Sequence, residues 1–197
     1  MEDINKFKNI HKGEDIYVIG SGPSCDFIDP SFLENKISVG TNQTYRKFDT
    51  SYIVRKEHSL IRDTLKNSNS DIIVARLNCG SGVPLDVNNN INKLYYFDHL
   101  VNVSRINLKA FDKPNHLVVS DSTITSSIHF AYHLGAKNII LIGVDHGILD
   151  GQHTFKNYYK NISETPWSDW SQYKEWLNKL DRDTVILKEK LKSLGVN

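Results

Sequence analysis

Five short segments dominated by apolar, β-branched residues recur along the chain, at residues 15–20, 37–41, 51–55, 71–76 and 138–142. Short runs that stay apolar rather than alternate are how strands buried on both faces of a parallel sheet read. Helical patterns lie between them. Ser120-Asp121-Ser122 can start a helix that continues through Ile128, Ala131 and Tyr132 and stops at Gly135. Lys137 then leads into Asn138–Ile142, and this helix–strand pair is the clearest unit in the sequence. Strands alternating with helices predict an α/β fold, an open parallel sheet with helices on both faces. Residues 78–116 read as loops around Gly80-Ser81-Gly82-Val83-Pro84 and Asn88-Asn89-Asn90, with one or two short strands at pieces such as Leu94–Phe97. From Ser168 the aromatic and aliphatic positions Trp170, Tyr173, Trp176, Leu177, Leu180, Val185, Leu187 and Leu191 take helical spacing, which predicts a helical region near 168–194. No repeat and no linker divides the chain, so residues 1–197 read as a single domain.

In an open parallel sheet, ligands bind beyond the carboxyl ends of the strands. The residues immediately after each strand are therefore informative. Gly20-Ser21-Gly22-Pro23-Ser24 comes after the first, Thr41-Asn42-Gln43 after the second, and Arg55-Lys56-Glu57-His58 after the third. Asn78-Cys79-Gly80-Ser81 comes after the fourth, and Gly143-Val144-Asp145-His146-Gly147 after the late strand. Five polar ends converging on one edge argue for one site. In the first, Gly20 and Gly22 permit close backbone approach. Pro23 suits a helix start, and Ser21 or Ser24 can cap it. Free N–H groups at such a start favour a phosphate. A branched side chain at Gly22 is then expected to fill the phosphate's space and leave the fold intact. The pattern is neither the dinucleotide Gly-x-Gly-x-x-Gly nor a Walker loop.

Composition narrows the function classes. A formal charge of +1, with acids and bases interspersed, makes no electrostatic case for nucleic acid. No run is long and apolar enough to span a membrane, and the polar N-terminus has no signal-peptide core. The two cysteines, Cys25 and Cys79, have no metal-type spacing and read as thiols of a reducing, cytoplasmic setting. His129 and His133 share a helix face but lack a third ligand, so they read as packing or surface histidines.

Four motifs in order, Gly20-Ser-Gly-Pro-Ser24, Val39-Gly-Thr-Asn42, Ile124-Thr-Ser-Ser127 and Leu141-Ile-Gly-Val-Asp145, resemble the Rossmann-like domain of archaeal 6-hydroxymethylpterin diphosphokinases, the MptE-like family. They are also similar to motility-associated-factor glycosyltransferases and to bacterial sialyltransferases of the Campylobacter kind. The resemblance covers residues 14–160 and implies a nucleotide along Gly20, Ser21 and Gly22. It further implies Asn42 holding the nucleotide, Thr125 and Ser126 near it, and Asp145 as the acid after the last core strand. The histidine base of the sialyltransferase-like members has no clear counterpart.

Together these readings imply a nucleotide-dependent transferase. One branch is glycosyl transfer from a nucleotide-activated sugar, such as a CMP-linked one, to a small-molecule or glycan acceptor in surface glycan synthesis, with no cofactor required. The other is diphosphate transfer from ATP to a pterin-like alcohol, which calls for Mg²⁺ with Asp145 as its ligand. A third is a non-catalytic nucleotide-binding module, and self-association into a homo-oligomer is compatible with all three. The expected chemistry lies with Asp145, His146 and His153, the last in a lid-like segment near 147–166. Gly20, Ser21, Gly22, Pro23, Ser24, Asn42, Thr125 and Ser126 are expected to bind the nucleotide.

Overall fold

The computed structural model of the chain describes residues 2–79, 81–85, 93–100, 106–160 and 170–197, with side chains of the last segment from residue 174. Six strands form one all-parallel sheet: β1 (Asp15–Ile19), β2 (Ile37–Thr41), β3 (Tyr52–Arg55), β4 (Asp71–Ala75), β5 (Leu94–Phe97) and β6 (Asn138–Ile142). Their order across the sheet is β5-β4-β3-β2-β1-β6. The fold is thus α/β with a Rossmann-like open sheet. The chain steps outward from β1 to β5 and then returns to place β6 on the other side of β1. The order reverses between β1 and β6, and that switch point is where an open sheet leaves room for a ligand.

Side chains alternate along each strand and build two layers. Ile16 and Val18 of β1, Val39 of β2, Tyr52 and Val54 of β3 and Ile73 and Ala75 of β4 face one core. That core is covered by α2 (Thr123–His133), with Leu187 and Leu191 of α3 (Trp170–Ser193) behind it. Removing this much apolar surface from water is the main term holding the two layers together. On the other face Ile19 joins Cys25, Leu33, Phe48, Phe155 and Tyr158, and Ile72 and Val74 meet Ile61 of α1 (Ile61–Asn67). Among the described residues this second face carries the seven-residue α1, several 3₁₀ turns and the segment with Phe155 and Tyr158.

α2 has the boundaries the sequence predicts. Ser122 is its N-cap, its side chain accepting from the Ile124 N–H at 3.3 Å, and Gly135 follows its end at φ 96°. The segment after β1 differs from expectation. Pro23–Phe27 is a 3₁₀ turn rather than an α-helix, and its N-cap is Gly22, which has no side chain to cap it, rather than Ser21 or Ser24. Pro30 limits the space, because the residue before a proline is pushed out of the helical region. Asp29 is accordingly extended and caps a second 3₁₀ turn, Pro30–Leu33.

Of the segment expected as a lid, residues 147–160 are docked, and 161–166 lie outside the described residues, as does Trp167. Phe155 and Tyr158 are buried against the second face, and the Phe155 N–H donates to the Ser21 carbonyl at 3.0 Å. The Lys156 N–H donates to the Asp26 carboxylate. None of the described helices is long and apolar enough to cross a membrane.

Candidate functional site

A cavity of about 280 Å³ opens at the carboxyl ends of β1, β2, β3 and β6. The loops after those strands line it, together with the start of α2, the 147–159 segment and Leu177 and Leu180 of α3. Of the expected binding residues it brings together Gly20, Ser21, Gly22 and Asn42, and of the expected catalytic ones Asp145, His146 and His153. Pro23, Ser24, Thr125 and Ser126 do not line it.

The turn after β1 is occupied by protein. The Gly20 N–H donates to the Ile142 carbonyl at 2.8 Å and the Gly22 N–H to the Gly143 carbonyl at 2.7 Å. At the start of the 3₁₀ turn, the Ser24 N–H donates to Asp145 Oδ2 at 2.8 Å and the Ser24 hydroxyl to Asp145 Oδ1 at 2.6 Å. The anion held by this start is therefore the Asp145 carboxylate. The glycines are required for the same reason. A Cβ on Gly22 would lie 2.7 Å from both Asp145 Cγ and the Gly143 carbonyl oxygen, and one on Gly143 (φ 64°) would run into Cys25 Sγ. A side chain at Gly22 thus collides with the protein before it meets any ligand, which corrects the expectation that such a variant leaves the fold intact.

Across the cavity stand the loop after β2 and the start of α2. Asn42 takes a left-handed backbone (φ 54°), and its Nδ2 donates to Thr123 Oγ1 at 3.3 Å. Ser122 and Thr123 present the first turn of α2 to the cavity. The next hydroxyls turn inward: Thr125 Oγ1 donates to the Ser122 carbonyl at 2.9 Å and Ser126 Oγ to the Val118 carbonyl at 2.8 Å, both fully buried. Helical geometry explains the split, since residues 122–123 end the loop while 125–126 lie on the face packed against the sheet. Tyr158, missed in the sequence, joins the two sides. Its phenol stands near the Gln43 N–H and the Asn42 and Ser21 side chains, which favour its ionised form. Burial nevertheless raises its pKa, with the Arg55 guanidinium opposing.

Strand alternation separates the cations after β3. Arg55 is buried and bonds Thr64 Oγ1 at 3.2 Å and the Ser59 carbonyl, whereas Lys56 lines the cavity.

His146 also lines the cavity. Its Nδ1 stands 3.6 Å from Asp181 Oδ1 of α3, and its Nε2 is buried with no hydrogen-bond partner. Burial lowers its pKa, Lys188 adds to that, and Asp181 and Asp145 oppose it. The ring is therefore biased toward neutrality, and a neutral imidazole whose Nδ1–H faces Asp181 offers Nε2 as a base. His153 is half-buried near Tyr159, with ring centroids 6.2 Å apart, and burial lowers its pKa too. Asp181 lies in a segment the sequence marks only as helical, so no local signal pairs it with His146. His129 is structural, its Nδ1 accepting from the Val118 N–H at 2.9 Å. Among the described residues no group of three or more His, Cys, Asp or Glu stands together as a metal site.

No family model matches the chain, and no curated protein matches it. The resemblance to the MptE-like family therefore stays at the level of the motifs that carry it. Among solved structures the chain is similar to a MAf glycosyltransferase from Magnetospirillum magneticum AMB-1. The likeness has a TM-score of 0.49 at 17% identity, covering 74% of this chain and 27% of that one. The chain thus spans about a quarter of that protein's length.

Proposed function

We propose that this chain is the nucleotide-binding core of a transferase that moves a glycosyl group from a nucleotide-activated sugar, of the CMP-linked kind, to a hydroxyl acceptor. The observation that carries the reading is His146, with a buried, unpartnered Nε2 in a cavity at the sheet's switch point. In the reaction, the His146 ring turns its buried Nε2 into the cavity and takes the proton of the acceptor hydroxyl as the hydroxyl oxygen attacks the anomeric carbon. The bond from that carbon to the phosphate oxygen breaks, and the nucleotide monophosphate leaves with the electron pair. Asn42, Ser122 and Thr123 hold the leaving nucleotide, and Asp181 keeps His146 oriented. His153 flanks the acceptor side. Both cysteines are free thiols, which fits a cytoplasmic setting.

Diphosphate transfer from ATP uses the same base and adds Mg²⁺. Asp145 would be the residue to hold the ion, and both its oxygens already accept from Ser24, so only their outer lone pairs are left for a metal. Glycosyl transfer asks less of this carboxylate.

The test is release of nucleotide monophosphate from a panel of nucleotide sugars, run with water or a glycan as acceptor. The wild-type chain should turn over one donor, and His146→Gln should lower the rate by about 100-fold or more with donor affinity kept. Parental turnover by His146→Gln would remove the base. Mg²⁺-dependent formation of AMP from ATP and a pterin alcohol would favour diphosphate transfer. Binding without any turnover would leave the non-catalytic module.

A further inference from the structure

Lys56 is more than nine-tenths buried, yet it lines the cavity. An ammonium has three protons to donate and nothing to accept with. Two are taken by the Ser120 carbonyl at 2.9 Å and the Asp121 carbonyl at 2.6 Å, the two residues just before the N-cap of α2. No acceptor for the third is present among the described residues. No carboxylate lies within ion-pair distance of it among them either, although Glu57 and Asp121 also line the cavity. Taking a charge out of water without a counter-ion is costly. Burial accordingly pulls the Lys56 pKa down, and Glu57, Cys79 and Asp121 only partly oppose this. A clamp that merely ties β3 to the loop before α2 needs neither a charge nor a cavity beside it.

We infer that Lys56, together with the first-turn amides of α2, is the anchor for an anionic group, the phosphate of the bound nucleotide. The inference rests on reading this cavity as the nucleotide site, and it adds the residue that recognises the charge. The ammonium is held at the start of α2 by the Ser120 and Asp121 carbonyls and lines the cavity with Asn42 and Thr123, whereas the Gly20, Gly22 and Ser24 amides of the turn after β1 are spent. One buried cation suits one phosphate.

The test compares each nucleoside with its 5′-monophosphate by calorimetry, in the wild type and in Lys56→Met, which keeps the aliphatic length. The wild type should prefer the monophosphate by about tenfold or more, the scale of a charged hydrogen bond. Lys56→Met should lose most of that preference and bind the nucleoside within about twofold of wild type. An unchanged preference in folded Lys56→Met, or a wild type that binds both equally, overturns the inference and leaves the nucleoside site standing. Should Lys56→Met not fold, amine acylation of Lys56 in the wild type, read by mass spectrometry, decides: inorganic phosphate should protect it, and undiminished labelling overturns the anchor. Protection by phosphate in a protein that binds no nucleoside would keep the anchor and overturn the proposed function.

Discussion

The turn after β1 and the corner formed by β2, β3 and α2 are built from similar material, small and hydroxyl-bearing residues at strand ends, yet they do opposite things. At the turn three of the donors are spent inside the protein, Gly20 on Ile142, Gly22 on Gly143 and Ser24 on Asp145. At the corner Asn42, Ser122, Thr123 and Lys56 face the cavity. The difference arises at the switch point. β1 and β6 are hydrogen-bonded neighbours, so their two glycine loops lie close enough to satisfy each other, and the loop after β6 supplies its own anion. The ends of β2 and β3 meet the start of α2 instead, Asn42 at Thr123 and Lys56 at the Ser120 and Asp121 carbonyls, and the first amides of a helix have no intrahelical acceptor. A glycine-rich turn after a strand therefore marks close backbone approach, and whether a ligand or another loop makes that approach depends on the neighbouring strand.

Gly143→Ala should break this comparison most visibly. Its Cβ meets Cys25 Sγ and its φ is 64°, so without any ligand the variant should lose about 2–5 kcal/mol, the sum of left-handed strain and overpacking. Denaturant unfolding reads this, and unchanged stability would mean that the junction is not packed as described.

The same division, spent against open, sorts the histidines. His129 is buried and its Nδ1 is spent on Val118, with its pKa held down to about 3 from an ordinary 6.5. A depressed folded pKa contributes stability that is present above the unfolded pKa and lost as pH falls toward the folded one. His129 should thus cost about 1.4 kcal/mol per pH unit as pH falls from about 6.5 toward 3. His129→Gln, whose amide oxygen can accept from Val118, should flatten the dependence by that slope. An identical pH profile of stability in the variant would contradict the assignment.

The smallest effect separates neighbours on α2. Ser126→Ala should cost about 1 kcal/mol of stability through the lost bond to the Val118 carbonyl and leave nucleotide affinity unaltered. Thr123→Ala should do the reverse, weakening nucleotide binding with little loss of stability. Equal affinity losses in the two variants would return Ser126 to the site.

Much of this architecture is legible in the sequence. The five apolar runs are strands within a residue or two of their expected limits, because a strand inside a parallel sheet needs an uninterrupted apolar run, and β6 keeps one although it is half-buried at the sheet edge. The Ser122 cap and the Gly135 stop of α2 are local chemistry and read as such. Four of the five expected strand ends meet at one cavity because the sheet is all parallel, so Asn42, Asp145 and His146 arrive together, whereas Asn78, Cys79 and Ser81 after β4 do not line it. Three features stay hidden for a physical reason. The helix expected at Pro23 fails because Pro30 leaves too short a span. The inward turn of Thr125 and Ser126 depends on the rotation of α2 against the sheet. Asp181 and Tyr158 reach the site from segments distant in sequence, and no spacing rule reaches across such gaps.

Everything proposed for the site depends on the nucleotide lying against the β2, β3 and α2 corner and not on the turn after β1. Amide chemical-shift mapping of the isotope-labelled chain, titrated with the nucleoside monophosphate that binds most tightly, separates the two positions. The largest shifts should fall at Asn42, Lys56, Ser122 and Thr123, with Gly22 and Ser24 moving little. Shifts concentrated at Gly20–Ser24, with the start of α2 unmoved, would contradict this placement.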